Sequence, residues 1–320
     1  RLGSMALLFS SKTDDADLWR DALADELPDL DFRVWTPGGE GGADGGDPAD
    51  IEYALVWAPK KGALRKFPNL KAIFSLGAGV DHLMVGRDLP EGVPVVRLVD
   101  PGLIRGMREY VIYWVLHHHR HFGEYERLAA EKRWRQLPQA DTRKRRVGIM
   151  GLGILGADAA AKLRGLEIDV AGWSRTSKDL DGVTGFHGAH GLGPFLERTE
   201  ILVCLLPLTP QTEAIINADT LARLPRGAVV INAARGGHVV DEDLLKALDD
   251  GHLAAAMLDV FHTEPLPDDH PFWGHPKVTV TPHVASLTVP ATAAEAVAEN
   301  IRRIRAGQPP EPIVDPKAGY

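Results

Sequence analysis

The sequence predicts an α/β protein built from two doubly wound parallel sheets. The chain has 320 residues, which is enough for about two domains with separate hydrophobic cores. Strand-like and helix-like segments alternate in two separate runs, and such alternation is typical of parallel sheets that helices cover on both faces. A long helical stretch separates the two runs. We therefore expect two sheets, each in a domain of its own.

The first run of alternation precedes residue 100. Its amphipathic segment Asp14–Leu27 predicts a helix with Leu18, Ala22 and Leu23 on one apolar side. The glycine- and acid-rich segment Gly38–Asp50 predicts a surface loop. The strand candidates are Ala6–Ser10, Phe32–Trp35, Tyr53–Ala58, Leu70–Leu76 and Val93–Val99.

The second run follows the long helical stretch, which is expected over Leu103–Arg135. It contains six strand candidates, near 147–150, 168–173, 201–206, 228–233, 254–260 and 278–281. The last segment, Val289–Ala306, predicts a helix with Pro290 in its first turn and Gly307 after its end. This helix is free to return to the first domain.

These segments predict one domain inserted into another. We expect the outer domain to comprise residues 5–99 and 287–320 and the inserted domain to comprise residues 100–286. Ligands of open α/β sheets bind beyond the carboxyl ends of the strands, so a cleft between the domains is the expected site. Residues 1–4 precede the first methionine and are interpreted as a cloning scar.

Composition and charge narrow the classes of protein. The net charge of −8 argues against nucleic acid as the main partner, and the basic run 143–146 is interpreted as a solvated strand entrance. The single cysteine, Cys204, lies in an apolar strand candidate and is interpreted as an inert core thiol. The longest apolar run is too short to span a bilayer. We expect a cytoplasmic protein with no membrane partner.

A glycine-rich turn gives the first indication of function. The pattern G-x-G-x-x-G occupies residues 151–156, after an apolar strand and before a helix-like segment. In that context Gly151 makes the tight turn, Gly153 lets the backbone approach a pyrophosphate, and Gly156 lets the helix pack close to the strand. Backbone amides at Ile154 and Leu155 begin the helix, whose N-terminus favours phosphate. The turn predicts a dinucleotide site.

The end of the next strand indicates which dinucleotide binds. NAD-binding members of this fold carry an acidic residue there to bind the ribose 2′-hydroxyl. Here the strand ends in Ser174-Arg175-Thr176, with Lys178 nearby and no carboxylate in place. A guanidinium and hydroxyl groups suit a 2′-phosphate. We therefore expect NADPH as the cofactor, with NADH secondary.

Three polar residues follow later strands of the inserted domain. Arg235, Glu264 and His283 each lie just beyond the carboxyl end of a strand candidate, where the nicotinamide is expected. Reduction of a 2-keto acid needs a cation for the carboxylate, a proton donor for the keto oxygen, and a negative group that keeps the donor protonated. An arginine, a histidine and a glutamate meet these needs. We predict that these three residues are catalytic.

The surrounding motifs resemble the D-isomer-specific 2-hydroxyacid dehydrogenase family. The sequences N-A-A-R-G, D-V-F-x-x-E-P-L-P and T-P-H-x-A place the three residues in the family's order, and the resemblance covers nearly the whole chain. It implies a Rossmann domain inserted into a smaller flavodoxin-like substrate domain. Trp-Ser-Arg at the cofactor end, Trp57, and the histidine-rich helix are similar to the glyoxylate/hydroxypyruvate reductase A branch of the family.

The resemblance also assigns residues outside the glycine turn. It implies that Asp259 orients the nicotinamide amide and that the start of the long helix, near Met107–Val111, forms part of a dimer interface, although Arg108 stands where a smaller residue is commoner. It implies further cofactor contacts at Leu206, Pro207, Thr212 and Ala233. It implies substrate contacts at Trp57, Leu76, Gly77, Ala78 and Gly79, together with Arg235 and His283.

Some alternatives stay open at this stage. His117, His118, His119 and His121 share one helix without the cysteines or carboxylates of a metal site, so a structural or dimer-face role is expected and no metal. Trp57 is also compatible with a plain core position. The favoured function is NADPH-dependent reduction of small 2-keto acids, glyoxylate and hydroxypyruvate first, by a homodimer. The alternatives are a dehydrogenase of a larger D-2-hydroxy acid and a nucleotide-sensing, corepressor-like protein.

Overall fold

The computed structural model describes residues 6–35, 46–84 and 88–315. The chain forms two compact units, one comprising Arg1–Leu103 with Leu287–Tyr320 and the other comprising Ile104–Ser286. The expected loop over 38–50 is described only from residue 46, and residues 1–4 lie outside the described part.

The first unit contains a five-stranded parallel sheet. Its strand order, β2-β1-β3-β4-β5, is that of flavodoxin-like folds, as the sequence predicts. The last two strands are shorter than expected: the fourth pairs with the third over Ala72–Ser75 only, and the fifth pairs with the fourth only through Val95 and Val96. The elements are β1 (Ala6–Ser10), α1 (Ala16–Glu26), β2 (Asp31–Val34), β3 (Ile51–Val56), β4 (Ala72–Ser75), the short helix α2 (Asp81–Met84) and β5 (Val95–Val96).

Helix α1 packs through a face that differs from the expected one at Leu18. The carboxylate of Asp15 caps its N-terminus by accepting hydrogen bonds from the N–H groups of Asp17 and Leu18. Trp19 and Leu23 are buried, whereas Leu18 is 57% exposed, so the placement of Leu18 on the apolar face was wrong. The next residue, Trp19, takes the buried position in place of Leu18, while Leu23 is buried and Ala22 is partly buried in the same cluster, as expected.

The second unit contains a seven-stranded parallel sheet, one strand more than expected. The order β12-β11-β10-β9-β6-β7-β8 contains the common six-stranded Rossmann order, with β12 added at one edge. The strand that the sequence analysis missed is β8, whose residues are mostly exposed and lack an apolar pattern. The strands are β6 (Arg146–Met150), β7 (Asp169–Ser174), β8 (Thr184–His187), β9 (Ile201–Cys204), β10 (Ala228–Asn232), β11 (Leu253–Leu258) and β12 (Val278–Val280).

The long helical stretch is two helices, not one. Helix α3 (Pro101–His119) is separated from α4 (Phe122–Ala130) by His121, whose φ of 62° lies in the left-handed region and cannot continue a right-handed helix. Residues 131–135 are not helical, so the expected end at Arg135 was wrong. The remaining helices of the unit are α5 (Ile154–Gly165), α6 (Gly188–Arg198), α7 (Ala218–Arg223) and α8 (Asp241–Asp249).

The C-terminal helix α9 (Pro290–Arg305) belongs to the first unit, as the sequence suggests. Ala293, Val297 and Ile301 are fully buried in one cluster with Trp19 and Leu23 of α1. Arg302 donates to the carboxylate of Glu26, at the end of α1. Cys204 is completely buried in β9, which confirms the interpretation as a core thiol. Within the described residues, no helix is long and apolar enough to cross a membrane.

Candidate active site

The glycine turn lies where strands β6 and β9 part, at the point where the strand order reverses. Gly151 has a φ of 101°, a conformation that favours glycine, and its amide donates to the carbonyl of Trp173 at 2.8 Å. A Cβ at Gly151 would lie 2.6 Å from the carbonyl oxygen of Leu205. The turn therefore brings the segments that follow β6 and β9 into backbone contact.

The other two glycines of the turn face different surroundings. A Cβ at Gly156 would lie 1.9 Å from the carbonyl oxygen of Gly151, so helix α5 can pack on the turn only with a glycine at that position. A Cβ at Gly153 would meet nothing within 4 Å, so the protein itself does not require this glycine. Gly153 begins α5 without a side-chain cap, and its neighbour Ile154 is 48% exposed. Space beside uncapped helix amides fits a pyrophosphate.

The end of β7 fits a 2′-phosphate. Ser174 is the last residue of the strand and is 8% exposed, whereas Arg175, Thr176 and Lys178 are exposed. The Ser174 hydroxyl donates to the carbonyl of Thr176 at 2.8 Å. Because a hydroxyl has one proton, Ser174 is left with lone pairs only, and the side chains beside it that carry donor groups are Arg175, Thr176 and Lys178.

The segment after β9 is held by its own hydrogen bonds. The Thr212 hydroxyl donates to the carbonyl of Pro207 at 2.6 Å and accepts from the amide of Thr209 at 2.9 Å. Leu206 is buried beneath this segment, and the amide of Ala233 donates to the carbonyl of Cys204. The structure thus assigns Thr212 a part in shaping the loop that the resemblance places beside the adenosine.

Arg235 is positioned by a turn built on a buried asparagine. The Asn232 side chain is fully buried at the end of β10, donates to the carbonyl of Arg235 at 2.9 Å and accepts from the amide of Ala234. Buried His238 lies 3.1 Å from the same carbonyl through Nδ1. A Cβ at the next residue, Gly236, would lie 2.0 Å from the carbonyl carbon of Phe261, so this turn abuts the loop that carries Glu264.

Glu264 and His283 form a hydrogen-bonded pair. The distance from Nδ1 of His283 to Oε2 of Glu264 is 2.7 Å, and Oε1 of Glu264 accepts from the amide of Phe261 at 2.9 Å. Burial acts to raise the pKa of Glu264, but hydrogen bonds from His283 and Phe261, with the charges of His283 and Arg235, lower the pKa below its usual value. Glu264 is therefore a carboxylate at neutral pH.

The pair leaves one ring nitrogen of His283 for a substrate. Because the carboxylate of Glu264 can only accept, Nδ1 of His283 carries a proton, and Nε2 is the remaining position at which the ring can give one up. The side chains are 37% exposed for His283 and 35% for Glu264, so a small molecule can reach them. A histidine held in this way can act as a general acid.

Asp259 holds the segment that carries His283. Its side chain is 1% exposed and accepts hydrogen bonds from the amides of Val284 and Ala285, each at 2.8 Å. His283 has a φ of 55°, an uncommon conformation for a residue other than glycine. Burial raises the pKa of Asp259, although its hydrogen bonds oppose the shift.

The loop of the first unit that follows β4 has two amides without a partner among the described residues. The amide of Leu76 donates to the carbonyl of Val56, and that of Gly77 donates to the hydroxyl of Ser75 at 3.3 Å. The amides of Ala78 and Gly79 donate to no other described group. Half-buried Trp57 lies over this loop: a Cβ at Gly77 would lie 2.9 Å from its ring. These features suit an anion beside an aromatic ring.

The helix-borne histidines have structural surroundings. His118 lies 2.9 Å from Sδ of Met257, and burial lowers its pKa to about 4, so it is neutral. His119 is 2% exposed, contacts the hydroxyl of Thr142 at 3.1 Å, and also has a pKa lowered by burial. Among the described residues, no group of three or more ligand-type side chains could hold a metal ion.

Sequence reasoning missed four residues that support this region: Asn232, His238, Tyr110 and Thr281. Asn232 and His238 hold the carbonyl of Arg235. The hydroxyls of Tyr110 and Thr281 lie 2.8 Å apart, and that of Thr281 donates to Asp259 at 2.6 Å. In the sequence, only Asn232 and Thr281 could have been found, because they lie at or just after the ends of predicted strands, where site residues are expected.

Comparisons with known proteins agree with this geometry. Residues 112–285 match the model of the D-isomer specific 2-hydroxyacid dehydrogenase NAD binding domain. The chain is 43% identical to a Serratia proteamaculans protein named glyoxylate/hydroxypyruvate reductase A, over 99% of this chain and all of that protein. A protein of the same name from Klebsiella pneumoniae is 44% identical over the same shares.

Two solved structures are similar over 99% of this chain and 100% of theirs. One is a D-isomer specific 2-hydroxyacid dehydrogenase from Xanthobacter autotrophicus in complex with NADPH and MES, with 48% identity and a TM-score of 0.94. The other is an NADPH-dependent glyoxylate/hydroxypyruvate reductase from Sinorhizobium meliloti in complex with NADP and sulfate, with 41% identity and a TM-score of 0.91.

The surroundings of the glycines predict two different defects. Gly156→Ala should destabilise the apo protein by about 2 kcal/mol or more, because the new methyl group overlaps a backbone carbonyl. Gly153→Ala should leave the unfolding temperature close to that of the wild type but weaken NADPH binding by about 10-fold or more, because the added methyl group would keep the pyrophosphate from approaching the backbone closely. Thermal unfolding and fluorescence titration with NADPH measure the two effects.

Gly165→Ala, near the end of the same helix, is the matched control, since a Cβ there also meets nothing within 4 Å. Gly165→Ala should leave both the unfolding temperature and the affinity for NADPH close to those of the wild type. Wild-type NADPH affinity in Gly153→Ala would contradict the placement of the pyrophosphate, and wild-type stability in Gly156→Ala would contradict the packing.

Proposed function

The chain belongs to the D-isomer-specific 2-hydroxyacid dehydrogenase family, and we propose that it reduces small 2-keto acids, glyoxylate and hydroxypyruvate first, with NADPH. The observation that carries the proposal is the hydrogen-bonded pair of His283 and Glu264 beside Arg235. Full-length similarity to reductases favours this activity over dehydrogenation of a larger D-2-hydroxy acid and over a corepressor-like role. A cytoplasmic location stays a prediction.

The residues present fit the cofactor. Gly153 and the uncapped N-terminus of α5 would hold the pyrophosphate, and Arg175, Thr176 and Lys178 would hold the 2′-phosphate. When bound, NADPH supplies a hydride to the keto carbon of the substrate. NADH can occupy the same site but leaves the charge of Arg175 without its phosphate, which makes it the secondary cofactor.

The chain's own groups supply the rest of the reaction. Arg235 would hold the substrate carboxylate and polarise the ketone, as a guanidinium can through paired N–H groups. His283 would donate the proton from Nε2 to the keto oxygen, and Glu264 would stabilise the imidazolium through Nδ1. In the first unit, Ala78 and Gly79 offer amides to a carboxylate, and Trp57, Leu76 and Gly77 shape that loop.

We also propose that the protein is a homodimer. Several apolar residues of α3 are covered within their own unit, since Trp114 is 8% and Val115 is 0% exposed. Tyr113 is 55% exposed and Phe122, at the start of α4, is 49% exposed, and the ring of His117 lies within 6.4 Å of each of their rings. Exposed aromatic side chains grouped in this way favour a subunit interface.

The cofactor assignment predicts a selective loss. Arg175→Ala should raise KM for NADPH by about 10- to 150-fold, the value of a charged hydrogen bond, and should change KM for NADH little. Initial rates with each cofactor at a fixed glyoxylate concentration measure this. Lys162→Ala, an exposed cation on α5, is the matched control and should behave as the wild type. A wild type that uses NADH as well as NADPH would overturn the assignment.

The catalytic assignment predicts three distinguishable defects. His283→Ala removes the acid and should lower kcat by about 100-fold or more. Arg235→Ala should raise KM and lower kcat together, because a carboxylate anchor acts in the ground state and in the transition state. Steady-state kinetics with glyoxylate and saturating NADPH separate them, and a His283→Ala enzyme with wild-type kcat would refute the assignment.

Glu264→Gln tests the third role through pH. Because its pKa is lowered, wild-type Glu264 is charged at neutral pH and favours the imidazolium that reduction needs. The glutamine keeps a polar contact but loses the charge, so the alkaline fall in activity should move to lower pH. The exposed Glu242→Gln on α8 should leave the profile unchanged, and an unmoved profile in Glu264→Gln would remove the glutamate from the mechanism.

The dimer predicts a solution mass twice that of the chain. Replacing Tyr113 and Phe122 together by glutamate should give the monomer mass in light scattering at micromolar concentration, because two charges would be buried at the interface. Trp273→Glu, with Trp273 53% exposed elsewhere on the same unit, should stay dimeric. A monomeric wild type would contradict the proposal.

A further inference from the structure

Behind His283 lies a hydrogen-bonded chain that runs from helix α3 to the loop after β12. The hydroxyls of Tyr110 and Thr281 are 2.8 Å apart, and Oγ1 of Thr281 is 2.6 Å from Oδ1 of Asp259. A carboxylate can only accept, so the single proton of Thr281 is committed to Asp259. Tyr110 must therefore donate to Thr281, and the chain has one direction, from Tyr110 to the carboxylate.

The far end of this chain fixes three consecutive backbone amides. Oδ1 of Asp259 also accepts from the amide of Val284, and Oδ2 accepts from that of Ala285, both at 2.8 Å. The amide of His283 donates to the backbone carbonyl of Asp259 at 2.8 Å. Residues 283–285 are thus all held by one residue. The His283 amide also donates to the carbonyl of Thr281 at 3.0 Å and its ring is bound by Glu264, so the contacts with Asp259 add to these in keeping His283 at a φ of 55°.

We propose that Tyr110 and Thr281 are positioning residues for the proton donor, acting on His283 through Asp259. This inference rests on the proposed function, because it assigns His283 the role of acid. The hydroxyl of Thr281 donates to Asp259, which favours the ionised carboxylate and fixes its position. Tyr110 donates to the hydroxyl oxygen of Thr281 and so keeps the proton of Thr281 directed at Asp259. The imidazole of His283 is then placed so that its Nδ1 can donate a hydrogen bond to Glu264.

The hydrogen bonds from Tyr110 to Asp259 also predict how the enzyme responds to low pH. Burial raises the pKa of Asp259, while the Thr281 hydroxyl, the two amides and the charge of His283 oppose the rise. Among the described residues, the titratable groups whose charges act on Asp259 are Tyr110 on α3 and His283 on the loop after β12, and burial raises the pKa of Tyr110 to about 12. Removing the Thr281 hydroxyl should raise the pKa of Asp259 further. As the pH is lowered, Asp259 would then become protonated, and release residues 283–285, at a higher pH than in the wild type.

The central comparison is Thr281→Val against Thr281→Ser. The valine has the same shape but no donor, and it should lower kcat for glyoxylate by about 10- to 100-fold through misplacement of the acid. The acidic fall in activity should move to higher pH, while the alkaline fall in activity should stay where it is in the wild type. Thr281→Ser should restore both quantities, and Tyr110→Phe should show a smaller change in the same direction.

Thr279→Val is the matched control, since Thr279 is an exposed threonine two residues earlier on β12. It should leave kcat and the pH profile unchanged. A Thr281→Val enzyme with an unmoved acidic limb, or a Thr281→Ser enzyme as impaired as the valine variant, would overturn the positioning role.

A second measurement needs no turnover. Hydrogen exchange followed by mass spectrometry should show faster exchange in peptides covering 283–285 for Thr281→Val but not for Thr281→Ser or Thr279→Val. If the wild type fails to reduce keto acids but this pattern holds, the proposed function fails and the anchoring of the loop stands. Equal protection in all four proteins would refute the anchoring itself.

Discussion

The parallel arrangement of the strands in the second unit is the constraint on which the site depends. Parallel strands end at one edge of a sheet, so the segments after β6, β9, β10 and β11 emerge side by side. Two close backbone approaches fix these segments, Gly151 against Leu205 and Gly236 against Phe261. A side chain at either glycine would push neighbouring strand ends apart. The arginine and the glutamate therefore sit on turns whose separation the backbone sets.

His283 is held differently from Arg235 and Glu264. It follows the edge strand β12, which pairs on one side only within the described part of the chain, so the sheet alone positions it weakly. The buried carboxylate of Asp259 makes up for this by binding the amides that follow His283. Burying a carboxylate costs free energy unless it is fully hydrogen-bonded, and Asp259 accepts three hydrogen bonds. The expectation that Asp259 orients the nicotinamide amide stays a prediction, and its oxygens have other partners as well.

Sequence reasoning reached the two-domain fold, the family and the cofactor, because each depends on a local pattern. The glycine turn, the missing acid after β7 and the order of Arg235, Glu264 and His283 are all legible in short segments. What it missed depends on distant contacts or on single backbone angles. Strand β8 has no apolar pattern, the break at His121 is one positive φ, and Trp19 is buried where Leu18 was expected. Tyr110 meets Thr281 across 171 residues, which no spacing reveals.

The central claim is that this site reduces small 2-keto acids with NADPH. The most direct test measures initial rates of NADPH oxidation by the purified protein with glyoxylate, hydroxypyruvate and a series of 2-keto acids of increasing side-chain size. We expect the highest kcat/KM for the two smallest acids, with a decline as the side chain grows. Turnover only with the large acids would contradict the choice of substrate, and no NADPH oxidation with any of them would contradict the account as a whole.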